Sequence, residues 1–126
     1  MTFASLPASV AAFHLAMSQD RWLYVTGPTL DSCDSVYRID REGVVEEVCT
    51  KFGRPQGLTL DAQGVLYVIE ALAGASGLYR VGESGDRDLV LAAPSLIGVA
   101  FDPDGNIIVA SNDTVYRFDG NAPDLS

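Results

Sequence analysis

Apolar residues along this chain either alternate with polar ones or cluster in short uninterrupted runs, and both patterns belong to β-strands. The clearest window predicts strands over Gly57–Leu60, Val65–Ile69, Leu78–Val81 and Asp88–Leu91, with the turn Asp61–Gly64 joining the first two. No window carries the 3.6-residue apolar stripe of an amphipathic helix. The pattern then repeats. Leu23-Tyr24-Val25 returns 43 residues later as Leu66-Tyr67-Val68, and Ile107-Ile108-Val109 follows after a further 41. Val36-Tyr37-Arg38, Leu78-Tyr79-Arg80 and Val115-Tyr116-Arg117 recur in step with them. The turn Asp61–Gly64, "DAQG", is echoed by "DPDG" at Asp102–Gly105.

A fixed period is the mark of repeat architecture. Four short antiparallel strands in a unit of roughly 40 residues is what a β-propeller blade requires. The expected fold is therefore all-β, with three four-stranded blades at about 8–50, 51–93 and 94–126. Small residues in the first strands (Gly57, Gly98, Ala100) suit crowding at a ring axis, and Glu46-Glu47 and Asp86-Arg87-Asp88 suit outer strands. Three meandering hairpins in an ordinary sandwich are the alternative, although a sandwich has no reason to keep the period.

The segments "RPQGLTLDAQGVLYVIEALAGASGLYRV" and "LIGVAFDPDGNIIVASNDTVYR" resemble blades of the six-bladed gluconolactonase- and regucalcin-like propellers and of NHL-repeat propellers. The resemblance runs from about Val10 to Asp119. It implies a ring of six blades, of which this chain supplies half. Two copies related by a two-fold axis would close such a ring, so a homodimer is the expected assembly. A piece of a longer or engineered chain is the alternative. Thr2–Pro7 is similar to Val90–Pro94 at the end of the second repeat, so residues 1–7 read as a closing fourth strand. That strand would complete a partner's third blade, for which "FDGNAPDLS" leaves little chain, or would fold back on its own subunit.

Charge narrows the partners. Seventeen acidic against eight basic residues give a formal charge of -9, which would repel a phosphate backbone and excludes nucleic acid as the expected partner. The stretch Met1–Met17 lacks a basic leader and is interrupted by Pro7, Ser9 and His14, so it predicts neither a signal peptide nor a membrane span, and a cytoplasmic location is expected. Cys33 and Cys49 lack CxxC spacing and are read as free or buried thiols.

In a propeller the segment before each first strand and the loop between the second and third strands meet at one face. Arg54, Gln56, Glu70, Asn112, Asp113 and His14 are the candidate ligand-binding residues there, beside Thr26, the loop Gly27–Ser35 and the loop Ala71–Gly77. No nucleophile is spaced to pair with His14, so no catalytic set is assigned. Arg38, Arg80 and Arg117 recur with the repeat and are read as structural, pairing with aspartates of a neighbour. The resemblance to lactonases implies calcium or another divalent cation at the mouth of the axis, held by oxygens at the start of the inner strands. Phe13, Gln56 and Ile97 occupy the matching positions, and of these only Gln56 offers an oxygen on its side chain. No cofactor is therefore assigned firmly, and Glu70, Asn112 and Asp113 are the remaining candidate ligands. A non-enzymatic binding or scaffold module is the leading functional reading, and a metal-dependent lactonase-like hydrolase is the alternative.

Overall fold

The computed structural model describes residues 1–6, 14–27, 34–71, 76–82 and 84–119. Every regular element among them is a strand, in three antiparallel sheets. The first sheet is β1 (His14–Met17), β2 (Leu23–Thr26), β3 (Asp34–Ile39) and β4 (Val45–Phe52), in that order. The second repeats it with β5 (Pro55–Leu60), β6 (Leu66–Glu70), β7 (Gly77–Val81) and β8 (Arg87–Ala92). The third has β9 (Gly98–Phe101), β10 (Ile107–Ala110) and β11 (Val115–Phe118) among the described residues. The expected strands of the second repeat are all present, each shifted by no more than two residues at either end.

The hairpins at one end of the sheets share one turn chemistry. Asp40, Asp61 and Asp102 each accept, through Oδ1, the amides two and four residues on, all at 2.9 Å. Gly43, Gly64 and Gly105 close these turns at φ of 87°, 82° and 85°, where a side chain would be strained. The β1–β2 turn is a variant: Ser18 Oγ takes the Trp22 amide at 3.0 Å, and Arg21 holds the left-handed position at φ 67°.

The inner strands β1, β5 and β9 lie side by side, so the sheets fan out from a common axis as blades. One apolar cluster fills the gap between the first and second blades, with Val36 and Phe52 meeting Leu58, Leu66, Val68 and Val81. A second fills the gap to the third blade, with Tyr67, Ile69, Leu78 and Leu91 meeting Leu96, Ile107 and Val109. Burying each such aliphatic side chain contributes about 1.5–3 kcal/mol. Because both of its faces are covered, β6 is buried at every residue from Leu66 to Glu70. β1 alternates instead: Ala16 packs inward while Leu15 and Met17 are 62% and 61% exposed on the outer face. On the outer face of the third blade Val115 is 70% exposed.

Hydrogen bonds also tie the blades at the axis. Thr26 Oγ1 donates to the Gln56 carbonyl at 2.6 Å and the Gly57 amide to the Ile97 carbonyl at 2.8 Å. At the rim, the β7–β8 turn at Gly85 lies against the Val48 carbonyl in the outer strand of the preceding blade. Gly43 occupies the same place in the first blade, and there the carbonyl of Phe3 takes the part of Val48. The N-terminal segment thus lies against its own first blade where the outer strand of a preceding blade would run.

Candidate functional site

Topology brings the candidate residues to the end of the sheets opposite the Asp turns. His14 opens β1 and is in register with Thr26 at the end of β2. Arg54 and Gln56 lie where the chain turns into β5, Glu70 ends β6 opposite Pro55, and Asn112 and Asp113 form the β10–β11 turn. Phe13 and most of the loops Gly27–Ser35 and Ala71–Gly77, including Cys33, fall outside the described residues.

Arg54 is exposed in a left-handed conformation at φ 51°. Ser95, 41 residues on and likewise just ahead of an inner strand, has φ 57°. Non-glycine residues hold this conformation only where the surroundings impose it. Here the Ala71 amide donates to the carbonyls of Gly53 and Arg54, both at 3.2 Å. The Arg54 side chain is thereby presented outward beside the axis. Gln56 is half-buried, with its carbonyl already accepting from Thr26.

Glu70 is 7% exposed, and its carboxylate is paired with the Arg87 guanidinium at 2.5 Å. Arg87 reaches it across the face of the second blade, lying over the rings of Phe52 at 4.6 Å and Tyr79 at 5.0 Å. This cation, which the sequence pattern reads only as part of a polar outer strand, is the partner that neutralises Glu70. Asn112 and Asp113 are exposed in a turn that bonds internally: Ser111 Oγ donates to Asp113 Oδ1 at 3.1 Å, and Thr114 Oγ1 donates to the same oxygen at 2.9 Å. Ser76, within the loop Ala71–Gly77 but not singled out in it, is buried, donates to the Ala93 carbonyl, and accepts the Leu96 amide at 2.9 Å.

The repeating arginines pair within their own blades. Arg38 bonds Glu46 and Arg80 faces Asp88 at 3.9 Å, each opposite its partner in the ladder, while Arg117 reaches Asp102 at 3.3 Å. The neighbour that supplies each acid is thus a strand or turn of the same blade, and for Arg38 and Arg80 the cross-strand register sets the pair. Partial desolvation works against the charge on Arg38, but the hydrogen bonds it donates to the oxygens of Glu46 and Tyr24 outweigh it and hold the guanidinium above its ordinary pKa. The Asp102 carboxyl is held below its ordinary value, chiefly by the Asn106 side-chain amide and then by the Asn106 backbone amide, with Arg117 adding to both.

These donors do not fit a divalent cation. A hard cation needs six or more oxygens with net negative charge among them. Gln56 is neutral, Ile97 has no side-chain oxygen, Glu70 is cancelled by Arg87, and Asp113 is bonded within its turn. Among the described residues no three His, Cys, Asp or Glu side chains come together as a metal site. No helix among them is long and apolar enough to cross a membrane.

No protein-family model and no curated protein matches the chain. Solved structures do. A protein assigned as a gluconolactonase superposes with a TM-score of 0.64 at 18% identity, over 84% of this chain and 43% of its own. Virginiamycin B lyase from Staphylococcus aureus gives 0.56 at 14% identity, covering 91% and 43% of the two chains. A catalytically inactive form of that lyase with quinupristin gives 0.59 at 15% identity, covering 95% and 45%. Both are β-propellers, and this chain spans less than half the length of each. Three radiating antiparallel sheets, inner strands in succession around one axis and these superpositions together identify the chain as consecutive blades of a β-propeller with the fold of the gluconolactonase and virginiamycin B lyase structures.

Proposed function

We propose that the chain is a half-propeller binding or scaffold module that pairs with a second copy to close a six-bladed ring, and that the ring takes a small molecule or protein on its loop face. The exposed apolar side chains on the two flanking blades carry this reading. Leu15 on one side and Val115 on the other occupy the positions that Leu58 and Leu78 hold in the middle blade, where neighbouring blades leave them 5% and 0% exposed, and Met17 is exposed beside Leu15. Apolar faces of this kind are what a soluble subunit covers with a partner. Coverage of 43–45% of the propeller structures agrees with a missing half. The segment around Phe3 supports a closing role for residues 1–7, since in the ring the preceding blade is the third blade of the second copy. Arg54, Gln56 and His14, gathered beside the axis, are the residues we assign to ligand contact, with Asn112 and Asp113 at the rim.

Light scattering tests the assembly. A mass about twice the 13.4 kDa of the chain is expected, and a cooperative, folded 13.4 kDa monomer would refute it. The metal-dependent hydrolase is less well supported, because Glu70, its best carboxylate, is already neutralised. Calcium-dependent stabilisation with lactone hydrolysis would reverse that preference.

A further inference from the structure

The two gaps between neighbouring blades are built on one plan but filled differently. Between the second and third blades Phe101 stands edge-on to Tyr67, with centroids 5.0 Å apart and planes at 74°, and leaves Tyr67 only 8% exposed. The equivalent residues between the first and second blades are Leu60 and Tyr24. Leucine does not reach as far as a phenyl ring. Tyr24 is left half-buried, beside a cavity of about 470 Å³ between the β1–β2 and β5–β6 turns. A second lobe of about 440 Å³ continues past Tyr24 and Arg38 toward Val48 and Val81. The groove lies within one chain and at the turn end, opposite the loop face, so it does not depend on ring closure.

Its lining is specific in chemistry. Trp22 has no aromatic counterpart in the other repeats, where Val65 and Asn106 stand in its place. The Arg38 guanidinium lies over the indole at 4.2 Å, and Glu46 cancels its charge. Asp20, Asp61, Gln19 and Gln63 supply the polar wall. Asp61 spends Oδ1 on the turn amides, which leaves its second oxygen as an acceptor. The uncancelled charge in the groove is thus negative and disfavours phosphates and carboxylates. A cation gains little from an indole whose face already carries a guanidinium. What remains is a neutral ligand with several hydroxyl donors and an apolar face for the aromatic wall.

We propose that this groove between the first and second blades binds a neutral carbohydrate, with Tyr24 and the indole face of Trp22 turned away from Arg38 against the sugar's C–H face and Asp61 and Gln63 on its hydroxyls. Trp22 is the only tryptophan in the chain, so its fluorescence reports directly on the groove. Titrating the full chain with methyl glycosides of glucose, galactose, mannose and N-acetylglucosamine is expected to give a saturable emission change with at least one of them. Leu60→Phe, which copies the arrangement at Phe101, is expected to fill the cavity, weaken that binding by roughly tenfold or more, and melt no lower than the parent. Should Leu60→Phe misfold by circular dichroism, Gln63→Ala on the exposed turn is expected to weaken binding in its place. Saturation by none of the glycosides, saturation by tetramethylammonium or inorganic phosphate alone, or unchanged sugar affinity in the folded groove variants would overturn the proposal.

Discussion

The amide of Gly57 donates to the carbonyl of Ile97 at 2.8 Å, and the two inner strands it joins approach too closely for any side chain at position 57. A Cβ there would stand 2.5 Å from the Ile97 oxygen and 3.0 Å from Gly98 Cα, both backbone atoms. Gly57→Ala is therefore expected to destabilise the fold by about 1–3 kcal/mol in urea denaturation. Within one chain Gly98 has no such neighbour, its Cβ meeting only the Ala110 Cβ at 3.9 Å, so Gly98→Ala is expected to leave the single chain folded and to weaken the closed ring, where a second copy's β1 would pack on β9 as β9 packs on β5.

The pair formed by Glu70 and Arg87 lies between blades, with the glutamate side chain 9% and the arginine 32% exposed. Arg87→Ala removes both the charge partner of a buried carboxylate and the cover over Phe52 and Tyr79. A loss of about 1–3 kcal/mol is expected, below the range for fully buried pairs because solvent reaches the arginine. A double-mutant cycle with Glu70→Gln should return a clear coupling energy, and Arg87→Lys should recover only part of the loss, since an ammonium cannot lie flat on the two rings.

Gly43 and Gly64 occupy equivalent turns at φ 87° and 82°, yet only Gly43 has a neighbour, the Phe3 carbonyl. Gly64→Ala should cost only the left-handed strain of about 1–2 kcal/mol. Gly43→Ala should cost more and release the N-terminal segment, read as faster proteolysis near Phe3. Equal effects at the two sites would show that the segment is not held there.

Asp102 titrates lower in the folded chain than in the unfolded one. Its stabilisation is therefore present above its unfolded value of about 3.8 and is lost as pH falls through the lower folded value. Asp102→Asn should be less stable than the parent at neutral pH, and the gap should close as unfolding is measured down to about pH 2. A constant gap would mean that the charge plays no part.

The flanking faces give the last test. Leu15→Lys combined with Val115→Lys places charges on both outer faces without touching either apolar cluster. The double variant is expected to halve the light-scattering mass of the parent while keeping its circular dichroism spectrum.

Strand positions, the repeat and the turns are local properties, and the sequence by itself determined them. Alternation marks a strand wherever it occurs, and an Asp accepting two amides ahead of a left-handed Gly makes its turn within five residues. The small residue at Gly57 was legible for the same reason, because it recurs at Gly98 in the next repeat. The chemistry of the candidate site was not. Glu70 reads as an available ligand until Arg87, 17 residues on and two strands away, is seen to lie along the blade and neutralise it. Arg54 carries no mark in the sequence of its positive φ, because the bonds from Ala71 that impose it span a hairpin. The open groove at Trp22 appears only when Leu60 and Phe101 can be compared in space. Each of these depends on which side chains the packing of one blade against the next brings together, and only the tertiary structure decides that.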